Sequence, residues 1–349
     1  MSVVTTEVSR GKIASPEWQE VMKEEALLRI SNFHVEYRTE RATVRALNGI
    51  DLVIHKGESL GLVGETGAGK TTTALSVMNL LPQDIGFITE GTIEYEGQDV
   101  QKMPPTELRS LRGGRISMVF QNPLTALNPV FPVGEQVGMA LRVHQKMNKR
   151  QAYKRSGELL EIVGIPSYRV KDYPYQFSGG MRQRVGIAAA LACNPQLLIA
   201  DEPTTALDVT IQAQVLELMK DLQTKFSASL LMITHNLGII SELCQRVAVM
   251  YAGRIIEYGL VHDVFASPLH PYTLGLLGAL PKLEGPRNRL TAIPGVIADA
   301  QNLPGGCAFH PRCEHCLNEC KTEQPLMSHV GNGHFVACFQ HDERSDVNV

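Results

Sequence analysis

Short apolar runs recur along the chain and predict the strands of a layered α/β domain. Residues 58–63, 197–200 and 229–233 are almost continuously apolar, which is typical of strands buried on both faces of a sheet. Residues 27–37 and 42–54 instead partly alternate between apolar and polar positions, which predicts antiparallel strands. The pattern therefore predicts a mixed core sheet accompanied by an antiparallel β part.

Between these runs the apolar spacing becomes helical. Within 210–226 it has intervals of 4, 3, 4 and 4, which describe one face of a helix. The residues on this face are Ile211, Val215, Leu218, Leu222 and Phe226. A longer helical stretch is predicted over about 149–194, and residues 247–251 and 255–258 are predicted to form a hairpin turning at 252–253.

Composition divides the chain into three parts. Residues 1–25 are polar and predict an N-terminal extension. Residues 26–265 hold the α/β domain, with a helical subdomain at about 125–195. Beyond this point Pro and Gly become frequent and the periodicity fades, so residues 266–349 are predicted to form a small, cysteine-rich C-terminal domain.

Charge and hydropathy narrow the possible partners and location. The 349 residues are 44% apolar and carry a net charge of −3, which gives no electrostatic case for nucleic acid as the main partner. No apolar run approaches the roughly 18 residues of a membrane span, and the N-terminus lacks the apolar core of a secretory signal. We therefore expect a cytosolic chain that can still dock on a membrane protein.

The segment GETGAGKT at 64–71 has the spacing of a phosphate-binding loop. It follows the predicted strand 58–63 and precedes a predicted helix over 72–81. A strand, a glycine-rich turn and a helix in this order aim several backbone N–H groups and a helix N-terminus at one point, where phosphate oxygens are stabilised. A glycine-rich turn that matches by chance is the alternative. The sequence predicts that the chain binds a nucleoside triphosphate.

Individual residues of this loop have separate predicted roles. The glycines that allow close backbone approach are Gly64, Gly67 and Gly69. Lys70 is placed to reach the β- and γ-phosphates, and the hydroxyl of Thr71 to bind Mg²⁺. Thr72, at the start of the predicted helix, completes this part of the candidate site.

Two acidic residues close the apolar strand 197–200. A carboxylate at the C-terminal end of such a strand lies in the ligand crevice of an α/β sheet. Asp201 is expected to hold Mg²⁺, directly or through water, and Glu202 is suited to act as the general base toward the γ-phosphate. An acid pair that only caps a helix is the alternative, and the upstream phosphate loop favours the functional interpretation.

Two further polar residues follow apolar strands. Gln121 follows a strand ending at Val119-Phe120, and its amide is expected to contact Mg²⁺ and the attacking water. His235 follows the strand 229–233 and is expected to hydrogen-bond the γ-phosphate. Taken alone, an ordinary loop Gln and a structural His are the usual interpretations, so both assignments depend on the neighbouring motifs.

The segment FSGGMRQR at 177–184 is a second candidate anion site. Ser178, Gly179 and Gly180 precede a predicted helix over 181–192, so N–H groups and a helix N-terminus again face outward. A second phosphate site in a domain with one phosphate loop makes sense if it serves a nucleotide held by another subunit. A Ser-capped helix is the alternative.

These motifs, in this order, make the chain resemble the ATP-binding subunits of ABC transporters over roughly residues 27–265. Gln121, the segment 177–181, Asp201-Glu202, the segment 206–208 and His235 match the Q-loop, signature, Walker B, D-loop and H-loop of this family.

Two details refine this resemblance. Tyr37 matches the aromatic residue that stacks on adenine in the family. Phe177 and Met181 stand where the family consensus has Leu and Gln, which suggests a subfamily, while the three residues 178–180 of the signature remain.

The chain also has a narrower similarity to the dipeptide and oligopeptide permease ATPases, which covers nearly all of it beyond residue 26. Relatives of these ATPases also serve in the transport of nickel or glutathione. The similarity rests on QNPLTALNP at 121–129, FSGGMRQRV at 177–185, HPYT at 270–273, and IPG at 293–295 followed by LPGGC at 303–307. The resemblance implies an ATPase that pairs head-to-tail with a second, paralogous ATPase subunit. It also implies two transmembrane permease subunits, which the stretch after Gln121 would contact, an extracytoplasmic solute-binding protein, and a peripheral position at the cytoplasmic face of the membrane.

Five cysteines fall close together in the tail. Cys307, Cys313, Cys320 and Cys338 are separated by five, six and seventeen residues, and Cys316 lies among them. Four thiolates can hold a [4Fe–4S] cluster or a zinc ion, and the spacing alone leaves both open, with free thiols as a third possibility. The four have the spacing of the tail cysteines that bind a [4Fe–4S] cluster in some permease ATPases, so the resemblance implies that cluster, with Cys316 outside the ligand set.

Two other classes of protein share parts of this pattern. A soluble ABC ATPase acting on ribosomes or DNA is disfavoured by the single ATPase unit and by the absence of a basic stretch. A small-molecule kinase needs no phosphate site for a second subunit, so the segment 178–180 together with Asp201-Glu202 disfavours it.

Overall fold

The computed structural model describes residues 14–122, 126–205, 207–279 and 293–341. Several stretches named above are therefore described only in part, and residues 1–13 of the N-terminal extension and 280–292 and 342–349 of the C-terminal region lie outside the described residues. Residues 123–125, in the stretch expected to contact a permease, lie outside the described residues, as does Ala206 of the segment 206–208.

The alternating apolar segments form an antiparallel sheet, as the sequence predicts. Its strands run in the spatial order β2-β1-β4-β5. They are β1 (Leu28–Arg38), β2 (Thr43–Ile54), β4 (Gly86–Tyr95) and β5 (Gln98–Asp99). The long ladder between β1 and β2 runs from the pair Leu28–Ile54 to the pair Arg38–Thr43.

The continuous apolar runs form the centre of an eight-stranded sheet with the order β11-β12-β10-β9-β3-β8-β7-β6. Its strands are β3 (Ser59–Val63), β6 (Ile116–Val119), β7 (Leu197–Asp201), β8 (Ser229–Thr234), β9 (Arg246–Tyr251), β10 (Arg254–Leu260), β11 (Ser328–Gly331) and β12 (His334–Val336). Strands β3, β8, β7 and β6 pair in parallel, so their C-terminal ends meet at one edge.

The helices of the described residues surround these sheets. They are α1 (Pro16–Val21), α2 (Lys70–Val77), α3 (Pro105–Leu111), α4 (Val133–His144), α5 (Lys149–Ile162), α6 (Gly179–Leu191), α7 (Val209–Phe226), α8 (Leu237–Leu243), α9 (Val261–Ala266) and α10 (Pro271–Gly278). Helix α7 matches the predicted helix over 210–226 closely.

Helix α2 differs from its predicted range of 72–81. It begins at Lys70. The preceding residue, Gly69, is the N-cap and has a left-handed backbone conformation, so it lies outside the helix. It ends at Val77, and Asn79 then adopts a positive φ of 48°. A left-handed residue just past a helix is a common terminator, which explains why the helix stops before the apolar run does.

The C-terminal region adds strands to the core sheet. The sequence places the end of the α/β domain near residue 265, but β12 pairs with β10 and β11 pairs with β12. Trp18 of α1 is buried against this junction and makes edge-on contacts with Tyr258 of β10 and Phe335 of β12. The layered α/β fold is confirmed, whereas a separate small C-terminal domain is not, because backbone pairing makes these strands part of the main sheet.

Within the described ranges, no helix combines the length and the apolar character that crossing a bilayer requires.

Candidate functional site

The phosphate loop connects β3 to α2, as the sequence predicts. Gly69 has a φ of +107°, and a Cβ there would lie 2.6 Å from the carbonyl oxygen of Ala46. A side chain at this position would therefore meet both backbone strain and a clash. Inside the loop, Nζ of Lys70 donates hydrogen bonds to the carbonyls of Gly64 at 2.7 Å and Glu65 at 3.0 Å.

Lys70 is buried at the base of this loop. Burial lowers the pKa of its ammonium group, although three nearby carboxylates act in the opposite direction. These carboxylates belong to Glu202, Asp201 and Glu65. An ammonium group held by carbonyls and surrounded by acids is ready to exchange these partners for phosphate oxygens.

Four adjacent parallel strands bring the remaining motifs to this loop. In the order β3-β8-β7-β6 their C-terminal ends carry the loop, His235, the Asp201-Glu202 pair and Gln121. Because each group follows the end of its strand, sheet order alone places them side by side. The four groups therefore stand along one edge of the sheet.

Asp201 ends β7 and is 2% exposed. The hydroxyl of Thr71 hydrogen-bonds to its carboxylate, but Oδ1 is buried and has no hydrogen-bond partner among the described residues. Burial raises the pKa of this carboxyl group. An unpaired buried carboxylate oxygen beside a threonine hydroxyl is suited to a hard cation such as Mg²⁺, which prefers oxygen ligands.

Both carboxylate oxygens of Glu202 have hydrogen-bond partners. Oε2 accepts hydrogen bonds from Nε2 of Gln121 at 2.8 Å and Oγ1 of Thr205 at 2.9 Å, while Oε1 lies 3.1 Å from Nδ1 of His235. Burial opposes ionisation, but the hydrogen bonds from His235 and Thr205 and the nearby charge of Lys70 together outweigh it, and the pKa of Glu202 is lowered. Its backbone φ is +44°, an unusual value of the kind that often marks functional positions.

Tyr37 and the residues of the segment 177–181 make no hydrogen bond with the acid pair at the end of β7. Tyr37 is half-buried near α2, with its hydroxyl 3.3 Å from Oγ1 of Thr72. Ser178 is exposed and caps α6, accepting a hydrogen bond from the N–H of Met181 at 3.3 Å. Ser178 and Gly179 thus stand at a helix N-terminus that faces outward.

The sequence gives no sign that two residues of the C-terminal region contact the phosphate loop. The N–H of Glu65 donates a hydrogen bond to the hydroxyl of Tyr272 at 2.8 Å. The carboxylate of Glu65 accepts two hydrogen bonds from Arg312, at 2.7 and 3.2 Å. Tyr272 lies in the HPYT segment and Arg312 precedes Cys313, but no local pattern predicts contacts across more than 200 residues.

The four tail cysteines share one neighbourhood. The N–H of Cys307 donates to the carbonyl of Cys320 at 2.8 Å. Burial, with a smaller contribution from neighbouring thiols of the group that include Cys313, raises the pKa of Cys307 and of Cys338 to about 11 each. Among the residues that the structure describes, no three His, Cys, Asp or Glu side chains are arranged as the ligands of one metal ion.

Comparison with known protein families matches two regions of the chain. The family described as "ABC transporter" matches residues 47–205, and "Oligopeptide/dipeptide transporter, C-terminal region" matches residues 256–320. The first range includes the phosphate loop and Glu202, and the second includes Tyr272 and Arg312.

Two relatives from Bacillus subtilis (strain 168) cover most of the chain. The oligopeptide transport ATP-binding protein AppD is 48% identical over 319 residues, which span 91% of this chain and 97% of AppD. The dipeptide transport ATP-binding protein DppD is 46% identical over 327 residues, which span 93% and 98% of the two chains. Among solved structures, a dimeric post-hydrolysis state of the ATP-binding cassette MJ0796 bound to ADP and Pi has a TM-score of 0.60 and 27% identity, covering 67% of this chain and 98% of that one.

Proposed function

The chain belongs to the ABC transporter family, among the oligopeptide and dipeptide transport ATP-binding proteins, and we propose that it hydrolyses ATP to drive the import of peptides. The observation that carries this proposal is the meeting of Lys70, Asp201 and Glu202 at the ends of β3 and β7. Phosphate binding, metal binding and a general base are thereby gathered around one position.

The nucleotide is bound first by the loop. The start of α2 and the backbone N–H groups of the loop other than those of Glu65 and Ala68 face the phosphates, and Lys70 moves from the loop carbonyls to phosphate oxygens. Tyr37 stacks on the adenine. Thr71, Asp201 and Gln121 would hold Mg²⁺, which neutralises charge on the phosphate oxygens. The unpaired Oδ1 of Asp201 supports this ligand set.

Glu202 acts as the general base for the attacking water. Its lowered pKa keeps it ionised at neutral pH, and Gln121 and Thr205 fix the orientation of its carboxylate. An ionised carboxylate only accepts hydrogen bonds, so His235 donates its Nδ1–H to Glu202. We propose that Nε2 of His235 contacts the γ-phosphate.

The catalytic unit is a head-to-tail pair of ATPase subunits. Ser178 and Gly179 at the outward N-terminus of α6, with the buried Gly180 behind them, would contact the γ-phosphate of a nucleotide bound by the partner subunit, which we take to be a paralogue. Because both halves contact that phosphate, ATP favours the closed pair and hydrolysis opens it.

Two permease subunits are the proposed membrane partners, and a groove of about 740 Å³ beside α4 supports a docking site for them. Met139 and Val143 line this groove and are 56% and 52% exposed, so a covering partner would bury apolar surface. Met139→Asp or Val143→Asp should abolish co-purification with the permease, whereas Val330→Asp, at an exposed site on β11, should not. Retained co-purification of the Met139 and Val143 variants would contradict this docking site.

The remaining partners follow from the family. We propose that an extracytoplasmic solute-binding protein delivers the peptide, that the chain lies on the cytoplasmic face of the membrane, and that nucleic acid is not a partner. Ribosomes or nucleic acid co-purifying with the chain would instead favour a soluble ABC ATPase. A phosphorylated small product would favour a kinase.

We further propose that the C-terminal region from residue 266 is held in place by a [4Fe–4S] cluster. Four thiols in one neighbourhood are the right donors, and a cluster of four irons is larger than a single ion and spaces its thiolates more widely. Zinc is the alternative. The thiols that would serve as ligands are Cys307, Cys313, Cys320 and Cys338.

Anaerobic purification with metal analysis tests this assignment. The full chain should contain iron and sulfide and be brown, and Cys307→Ser should lose the colour. Cys193→Ser, which changes a cysteine outside the tail, serves as the control. A colourless wild-type chain loaded with zinc would overturn the iron–sulfur assignment.

Peptide uptake by the reconstituted complex tests the main proposal. Lys70→Ala should abolish ATP-dependent uptake, because the ammonium group that binds the phosphates is lost, whereas Lys225→Ala on the exposed surface of α7 should leave it unchanged. Unchanged uptake by the Lys70 variant would refute the assignment.

A further inference from the structure

The phosphate loop is fixed at Glu65 by two side chains from the far end of the chain. The hydroxyl of Tyr272, on α10, accepts the hydrogen bond from the backbone N–H of Glu65. Arg312 donates to both carboxylate oxygens of the same residue. Backbone and side chain of one loop residue are therefore both held by the C-terminal region.

Arg312 is itself rigidly placed. Its side chain is 3% exposed, and Nε donates a hydrogen bond to the carbonyl of Pro294 at 3.0 Å. The guanidinium group lies 5.8 Å from the ring centres of both Tyr251 and Phe309. A bidentate pair between such an anchored guanidinium and Glu65 defines a position, because its two parallel bonds fix orientation as well as distance.

Tyr272 is equally constrained. It is fully buried, and its ring centre lies 4.7 Å from that of Tyr251 and 5.5 Å from that of Phe309. Tyr251 ends β9, the parallel neighbour of β3, so this aromatic cluster packs between the core sheet and the C-terminal region. A shift of the C-terminal region would move both partners of Glu65 together.

Charge gives the ion pair a second role. Glu65 is close enough to Lys70 to raise the pKa of its ammonium group, so its carboxylate also lies near the position of the triphosphate. An unpaired carboxylate there would repel the phosphates. Arg312 neutralises this charge, and the pair with Glu65 raises the pKa of the guanidinium group well above its usual range.

We propose that Arg312 and Tyr272 are positioning residues of the nucleotide site, through which the C-terminal region sets the affinity for ATP. Cys313 directly follows Arg312, and Phe309 lies between Cys307 and Arg312. A displacement of the cysteine-bearing segment would therefore move Arg312, and with it Glu65 of the phosphate loop. This inference rests on the phosphate loop binding ATP, as proposed above.

A double-mutant cycle on the full chain, within its transporter complex, tests the pair. A fluorescent ATP analogue reports the dissociation constant, and steady-state ATPase assays report KM and kcat. Arg312→Gln should raise the dissociation constant and KM about tenfold, within the range typical of coupled sites. Glu65→Gln should also weaken binding, because the amide cannot form the bidentate charged pair through which Arg312 positions the loop.

The double variant Arg312→Gln with Glu65→Gln should bind ATP more tightly than Arg312→Gln alone, because it removes the unpaired carboxylate beside the phosphates. If Arg312 only supported the fold of the C-terminal region, the second substitution would not restore affinity. Additive losses, or single variants that bind as the wild type does, would overturn the proposal.

Three further variants make the outcome specific. Lys321→Gln changes an exposed cation of the same region and should leave ATP affinity unchanged. Tyr272→Phe removes only the acceptor of the Glu65 N–H and should weaken binding to a smaller extent. Lys70→Ala separates the two proposals: if it leaves ATP binding unchanged, the proposed nucleotide site fails, whereas loss of binding there with unaffected Arg312 variants refutes only the positioning role.

Discussion

Oε1 of Glu202 lies 3.1 Å from Nδ1 of His235. These residues follow neighbouring parallel strands, β7 and β8, so their contact is a direct product of sheet order. The contact helps to lower the pKa of Glu202 against the effect of burial, and thereby links the ionisation of the proposed base to a residue of a different strand.

Glu202→Gln should retain ATP binding and lose hydrolysis. The amide fits the same space but cannot accept a proton, and general-base catalysis typically contributes about 10² to 10⁴ in rate. Single-turnover ATPase assays measure the loss, and nucleotide-dependent cross-linking of the two ATPase subunits should show an accumulated closed pair. Glu217→Gln, on the exposed face of α7, is the matched control. Rapid hydrolysis by the Glu202 variant would exclude it as the base.

His235→Ala should move the acid limb of the ATPase pH profile to higher pH. In the wild type the pKa of Glu202 is below its ordinary value of 4.5, so its ionised form persists as the pH falls and is lost only below that value. Without the hydrogen bond from His235, burial raises this pKa, and activity is lost earlier on acidification. The profile of kcat measures the shift, with His262→Ala at an exposed site as control. An unchanged acid limb would contradict the coupling.

Tyr37→Ala should raise the KM for ATP about tenfold with little change in kcat, because stacking on a base is worth roughly 1–3 kcal/mol. Tyr37→Phe keeps the ring and loses only the contact between its hydroxyl and Thr72, so its KM should stay close to that of the wild type. Equal KM values for the Ala variant and the wild type would remove Tyr37 from the adenine site.

Trp18→Ala should destabilise the junction between α1 and the C-terminal strands. Trp18 is 1% exposed, and its ring centre lies 5.2 Å from that of Tyr258 and 5.0 Å from that of Phe335. Removing a buried aromatic ring typically reduces the free energy of unfolding by about 3–5 kcal/mol. Denaturant titration should show the loss, with exposed Glu20→Ala as control. A variant as stable as the wild type would show that α1 contributes little to the fold.

Sequence patterns predict most of the nucleotide site because its parts are local. The phosphate loop, the Asp201-Glu202 pair, Gln121 and His235 each follow a short apolar strand, and a polar residue after such a strand lies at the ligand edge of the sheet. The family and the layered α/β fold follow from the order of these segments. The same reasoning sets the end of α2 too late, because the left-handed Asn79 stops the helix while apolar residues continue.

By itself, the sequence predicted the phosphate-binding groups and determined at which strand ends they stand, since apolar periodicity and glycine spacing are properties of neighbouring residues. Only the tertiary structure decided that β12 extends the core sheet and that Arg312 and Tyr272 hold Glu65. The paired strands β10 and β12 join residues more than 70 positions apart, and the contacts of Glu65 join residues more than 200 positions apart. They depend on how surfaces pack in space, which no short stretch of sequence encodes.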